Sequence, residues 1–256
     1  MIKLIDTKNR WREAQKFEYN DWANIPNIID KEWKEIEKKY KSYIKHLSIK
    51  LKINKTSKIL DVGCGPTCIS RLFIKGEKYG IDPLAGILKL DQRIKEVKII
   101  DARGEEIPFE NNFFDLVICR NVIDHTERPE EVISEIGRVL KNEGFFILCC
   151  YVYSPFIKVV KEISEFIPSL RNAGHPHTFS PKTLEKLLES AGVFKIIERK
   201  DIYTGFHPND YGKIDEKCGE FSFLQKLVLF LNFKILRQKW FVKEYCLVAR
   251  KNVKIK

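Results

Sequence analysis

The sequence predicts an α/β fold: a doubly wound, mostly parallel seven-stranded sheet with helices on both faces, preceded by N-terminal helices and carrying a helical insertion. Three observations predict it. Short apolar runs alternate with helical patterns through the middle of the chain, which implies parallel strands joined by crossovers. A glycine-bearing turn lies in "ILDVGCGPTCIS", Ile59 to Ser70, directly after the first run. Two acids, Asp61 and Asp82, close the first two runs, 21 residues apart.

The elements follow in order. The first ~57 residues read as helical, with Trp11, Phe17, Tyr19, Trp22 and Trp33 spaced along them. Strands are expected at 58–62, 78–82, 97–101, 114–120 and 144–152, with helices at 67–75, 84–93 and 129–140 between them. The last of these helices is well marked. Pro129 suits a first helical position, and Val132, Ile133, Ile136, Val139 and Leu140 share one face. A further helix is expected over 154–170. Another, over 180–192, has Ser180 as N-cap, Pro181 next and Gly192 as its stop. A sixth strand is expected at 194–201 and a loop-rich stretch at 202–220. A very apolar helix at 221–236 and a closing strand at 243–251 complete the chain.

Composition narrows the function classes. The chain has 256 residues, 44% of them apolar and 32% charged, enough for a substantial core and unlike a disordered chain. Its longest apolar run, "FFILCCYVY", has nine residues, against the ~18 that a membrane span needs. Seven cysteines show no CxxC spacing, and the start, "MIKLIDTKNR", is charged. Reduced core thiols in a cytoplasmic protein are the expectation. The net charge of +11 is uneven: +6 over residues 1–57, −3 over 58–152 and +8 over 153–256. Basic flanks of this kind are either solvated faces or attractors of an anionic partner.

The glycine turn asks for a particular ligand. In a doubly wound sheet, ligands bind at the carboxyl ends of strands where the strand order reverses. Gly63 and Gly65 let a ligand approach the main chain, and a helix N-terminus is expected just after them. Asp82 is placed to accept ribose hydroxyls. A dinucleotide fits poorly, because Cys68 stands where a third glycine would be. Asp61 would repel a phosphate and attract an ammonium group. Asp101, ending the third strand, could accept an adenine amino group, with the Ala102 main chain at the ring nitrogen. A ligand with ammonium, ribose and adenine but no phosphate satisfies these demands, and S-adenosylmethionine is such a ligand.

The motifs also resemble a known family. "ILDVGCGPT", "YGIDPLAGIL" and the stretch from Asp101 to Leu148 occur in the order and spacing of class I S-adenosylmethionine-dependent methyltransferases. Within them the chain is similar to the group holding the ubiquinone and menaquinone biosynthesis enzymes and many small-molecule methyltransferases. The resemblance spans roughly residues 56–200 plus the last strand. It implies that Asp61, Gly63, Cys64 and Gly65 hold the methionine part, Asp82 the ribose, and Asp101 and Ala102 the adenine, with Thr67 as a hydroxyl donor to the cofactor and Pro83 also beside it. Arg120 and Asn121 would line the methionine end. Pro66-Thr67 departs from the family's frequent Thr-Gly. The implied cofactor is S-adenosylmethionine, with S-adenosylhomocysteine as product. The implied division is a helical cap over 1–57 and a methyltransferase domain over 58–256, with 153–179 and 202–240 as acceptor-side insertions.

On the acceptor side, His125 is the candidate base, since an imidazole suits proton transfer near neutrality; its alternative role is a brace for the following helix. His175 and His177 stand two apart without a third ligand nearby in sequence, so no metal is expected, but a loop over the acceptor or a purely structural role. Tyr19 and Trp22 are candidates either to fold over the pocket near the cofactor or to pack the N-terminal helices as core aromatics. The leading expectation is an enzyme acting on a small organic acceptor, and the basic flanks favour an anionic or amphiphilic one. The alternatives are an RNA-modifying methyltransferase, a protein in peripheral membrane contact through 221–236, a catalytically silent cofactor-binding module, and, on fold alone, a dehydrogenase.

Overall fold

A computed structural model describes residues 7–24, 27–87, 92–166, 174–205 and 223–252. The seven strands are β1 (Lys58–Val62), β2 (Glu77–Asp82), β3 (Lys98–Asp101), β4 (Phe114–Arg120), β5 (Leu140–Tyr153), β6 (Phe194–Gly205) and β7 (Val242–Lys251). They form one sheet in the order β3-β2-β1-β4-β5-β7-β6. The first five run parallel, and β7 is antiparallel to both β5 and β6.

Each face is covered for a legible reason. α1 (Thr7–Asn24) and α2 (Ile28–Lys50) occupy the N-terminal region. α2 buries Ile36, Tyr40, Tyr43, Ile44 and Leu47 along one stripe, against Ile59, Leu116, Ile118 and Ile147 of the sheet. The opposite face takes α3 (Pro129–Val139) and α5 (Pro181–Ser190), through Val132, Ile133, Ile136, Leu184 and Leu188. Glu130 and Glu131 in the first turn of α3 complement its dipole. A capping box closes the start of α5: Ser180 Oγ accepts from the Thr183 amide, and Thr183 Oγ1 accepts from the Ser180 amide.

Several expectations are corrected. The helix expected at 67–75 is a single 3-10 turn, Ile69–Leu72, because Cys68 sits at φ +42° and breaks the helical path. The expected anion-binding helix N-terminus after the glycines is therefore absent. The helix expected at 84–93 is represented by turns through 83–87 and a 3-10 turn, Gln92–Ile94, with 88–91 outside the described residues. β5 starts at Leu140, four residues before its expected start, and its register shifts between the Phe114 and Leu116 pairings of β4. Of the helix expected at 154–170, α4 is Pro155–Ser164; 167–170 lies outside the described residues, as does most of 202–220. The apolar stretch expected as one helix divides into α6 (Phe223–Phe230) and a π-helical turn, Leu231–Ile235. It buries Leu229, Asn232 and Phe233 and exposes Leu227, Phe230, Ile235 and Leu236. Among the described residues, no helix is long and apolar enough to cross a membrane.

Candidate active site

Strand order reverses between β1 and β4, so their connections leave to opposite sides and open a crevice at their carboxyl ends. A cavity of about 270 Å³ lies there. Its floor is built by β1, β2 and β4: Asp61, Gly63, Cys64, Gly65, Thr67, Asp82, Pro83, Arg120 and Asn121 all line it. Gly63 and Gly65 take φ of +64° and +54°, where an L side chain is strained. A Cβ on Gly63 would also land inside the Val122 side chain.

The two acids of the floor are tied to the main chain. Asp61 is buried, and its Oδ2 accepts from the Ser70 amide at 2.8 Å. Burial raises its pKa to about 6, against the opposing bonds from Ser70 and the field of Arg120. Asp82 Oδ2 accepts from the Gly65 amide and its Oδ1 from the Leu84 amide, both at 2.9 Å. Burial raises the Asp82 pKa as well. Each carboxylate oxygen carries two acceptor sites, so Asp82 retains capacity for a ligand hydroxyl. The Cys64 thiol is pushed well up by its bond with Cys68 and by burial, which makes it a wall and not a nucleophile.

Arg120 anchors the next wall. Its Nε donates to Glu244 Oε1 at 3.2 Å and its Nη1 to Glu32 Oε1 at 2.9 Å. The same Glu244 oxygen accepts from Tyr40 Oη at 2.5 Å and Asn121 Nδ2 at 3.1 Å. Burial opposes the Arg120 charge, but Glu244, Tyr40 and Glu32 outweigh it and raise the pKa. Asn121 Oδ1, buried on the cavity wall, is an acceptor with no partner in the protein.

The N-terminal helices form the roof. Trp11, Gln15, Glu18 and Trp22 line the cavity from one face of α1, spaced as successive helical turns. A bidentate contact from Arg10 to Glu165, with Nε to Oε2 at 2.9 Å, ties α1 to the end of α4. His125 enters from the 3-10 turn Ile123–His125. Its Nδ1 faces Glu18 Oε1 at 3.3 Å, and its ring centroid is 4.2 Å from that of His175. His175 Nδ1 meets Asp124 Oδ2 at 2.7 Å. Burial would raise the Asp124 pKa, but His125 and His175 outweigh it and hold that carboxyl well below the usual range.

The sequence candidates thus divide. Trp22, His125 and His175 share the cavity with the floor residues. His177 turns away: its amide donates to the Asp124 carbonyl at 3.2 Å and its Nε2 to the Thr126 carbonyl at 3.0 Å, so it braces the loop. Tyr19 is partly exposed and lies off the cavity wall. Asp101 and Ala102 line an adjoining surface groove, and Arg103 borders both spaces. Sequence reading missed Glu18, Gln15, Arg103 and Tyr151 on the wall. The first two were findable by stepping back from Trp22 in helical turns. Arg103 follows the end of β3, Tyr151 lies near the carboxyl end of β5, and neither carries a local signal of its own.

Residues 60–148 match the family described as "Methyltransferase domain". The chain is 28% identical over 208 residues to an uncharacterised protein of Methanocaldococcus jannaschii, covering 81% of this chain and 92% of that one. It is 26% identical to a demethylmenaquinone methyltransferase of Staphylococcus epidermidis, over 56% of this chain but only 60% of that protein. In fold it is similar to the Burkholderia thailandensis 1,6-didemethyltoxoflavin-N1-methyltransferase, solved with bound 1,6-didemethyltoxoflavin and S-adenosylhomocysteine. There the TM-score is 0.63 at 12% identity, over 98% of this chain and 92% of the other.

Proposed function

Taking the chain as a class I S-adenosylmethionine-dependent methyltransferase, we propose that it methylates a small organic acceptor held between the glycine turn and the roof helix α1. One observation carries this reading: a single cavity joins Gly63, Gly65, Asp82 and Asn121 on its floor to His125, His175 and Glu18 on its roof side.

The floor fits the cofactor. Asn121 Oδ1 is a buried acceptor lacking a protein donor, as an ammonium group requires. Gly63 and Gly65 leave the main chain bare, and Asp82 keeps acceptor capacity for ribose hydroxyls. Arg103, which borders the groove of Asp101 and Ala102, marks the direction in which the adenine end would extend. When bound, S-adenosylmethionine supplies an electrophilic methyl group on a positive sulfur. The chain's own contribution is positioning, which holds two reactants in line and is worth several kcal/mol, on the order of 7–11 at best. Trp11 and Trp22 exclude water from above. His125, His175 and Glu18 are placed to receive a proton that an oxygen or nitrogen acceptor sheds.

The lining also bears on the acceptor. Both cationic side chains of the wall are charge-paired with acids, Arg103 with Glu127 and Arg120 with Glu32 and Glu244, although Arg103 Nε keeps no hydrogen-bond partner. Trp11, Trp22 and Tyr151 supply aromatic surface, and Glu18 adds an acid beside the neutral polar side chains of the wall. This favours a flat acceptor that is uncharged or cationic over the anionic one that net charge alone suggested. The segments 153–179 and 202–240 are proposed to complete the acceptor side. Isothermal titration with S-adenosylhomocysteine tests the reading. Saturable binding with no response to NAD is expected; a flat titration with S-adenosylhomocysteine overturns it.

A further inference from the structure

We propose that Asp124, His125 and His175 form a binding site for a divalent first-row transition-metal ion, opening onto the acceptor end of the cavity. One ligand atom from each residue lies within 4.8 Å of the other two. Asp124 and His125 come from the turn after β4, and His175 arrives from a loop some fifty residues later. His125 and His175 both line the cavity.

The spacing suits a metal. Metal–ligand bonds of about 2.0–2.2 Å place neighbouring donors roughly 3–3.5 Å apart. The separations bracket this: 2.7 Å from Asp124 Oδ2 to His175 Nδ1, and 3.8 Å from Asp124 Oδ2 to His125 Nε2. A second, independent observation points into the cluster. Asp124 Oδ1 is buried with no hydrogen-bond partner, on a side chain only 6% exposed. An ionised carboxylate held out of water in this way is costly unless a cation or donors satisfy it.

If His125 binds through Nε2, its Nδ1 lies 3.3 Å from Glu18 Oε1 without a hydrogen bond between them, so a carboxylate stands near the second nitrogen but does not fix its tautomer. Two imidazoles and one carboxylate with open positions select zinc, iron, cobalt, nickel or manganese over magnesium and calcium, which prefer all-oxygen shells. The side chains are 6%, 14% and 30% exposed, so the open side of the site faces the cavity. The use of the ion rests on the methyltransferase reading and takes the place of His125 and His175 as proton acceptors: an acceptor hydroxyl bound to the metal would ionise near neutral pH. Metal binding itself does not depend on that reading.

The test is titration of chelator-treated, dialysed full-length protein with Co²⁺, Zn²⁺, Mn²⁺ and Mg²⁺, followed by calorimetry and, for Co²⁺, visible absorption. One equivalent of Co²⁺ or Zn²⁺ should bind at micromolar concentration or tighter, with Mg²⁺ far weaker. His175→Ala and Asp124→Asn should each weaken Co²⁺ binding by about a hundredfold or more. Exposed His46→Ala should leave it unchanged, and circular dichroism should confirm that each variant is folded. Absence of saturable binding, or equal affinity in folded His175→Ala, overturns the site and leaves the His175–Asp124 bond as a loop brace. S-adenosylhomocysteine titrated into the same metal-free protein separates the two readings. If it fails to bind while Co²⁺ binds through the triad, methyl transfer falls and the metal site stands.

Discussion

The Gly65 amide donates to Asp82 Oδ2 at 2.9 Å and so joins the turn after β1 to the end of β2. One carboxylate therefore shapes the glycine cradle and, in the proposed reading, receives the ribose. Asp82→Ala should weaken S-adenosylhomocysteine binding by about 1–3 kcal/mol, roughly ten- to hundredfold. Calorimetry reads this directly, and unchanged affinity would remove the ribose assignment.

Gly63 has no room for a methyl group. Gly63→Ala forces an L residue into φ +64° and drives its Cβ into Val122. The strain alone costs about 1–2 kcal/mol, and displacement of Val122 adds to it. A lower Tm and weaker cofactor binding should appear together. A variant as stable as wild type would mean that the turn rearranges freely.

Asp61 makes stability depend on pH. Its folded pKa of about 6 lies above its ordinary value near 3.8, so the native state binds the proton more tightly. Its stabilising contribution is fully present below about pH 4 and is lost as pH rises through 6. Two units correspond to roughly 3 kcal/mol at most. Asp61→Asn keeps an acceptor for the Ser70 amide and has no proton to lose. The difference in unfolding free energy between the variant and wild type should therefore grow in the variant's favour from pH 4 to pH 7. Urea melts across that range measure it, and a constant difference would refute the assignment.

Glu244 carries the buried charge that balances Arg120, and it is 0% exposed. Glu244→Ala leaves Arg120 with Glu32 alone on the cavity wall and should destabilise the fold by about 3–5 kcal/mol. Arg120→Ala combined with it should cost less than the two single changes added together. Urea melts of the four proteins complete that cycle. Strict additivity would mean that the two side chains do not depend on each other.

His125→Ala should cut turnover at least about a hundredfold while sparing S-adenosylhomocysteine affinity, because His125 lies at the roof-side wall beside Glu18. Steady-state rates with an acceptor, set beside cofactor titration, check it. Equal turnover would reduce His125 to a brace.

How much of this was legible depended on how local each cause is. β1, β4 and α3 were readable because their apolar periodicity and end signals lie within a dozen residues. The Asp61–Gly63–Gly65 and Asp82 positions were readable because a strand end and a tight turn are local events. The helix expected at 67–75 failed because its apolar spacing said nothing of the left-handed backbone at Cys68. That His175 and His177 turn to different partners was not legible for a similar reason: adjacency in sequence says nothing of where the two rings point.

The sequence by itself determined the parallel α/β architecture, the glycine turn and the acids at the strand ends, since each follows from backbone geometry and short-range patterning. Only the tertiary structure decided that Glu18, Asp124, His125 and His175 converge, and that Arg120 is matched by Glu32 and Glu244 from opposite ends of the chain. Those meetings depend on how α1, α2 and the late strands close over the sheet. Burial energy sets that closure, and it depends on the shape of surfaces far apart in sequence.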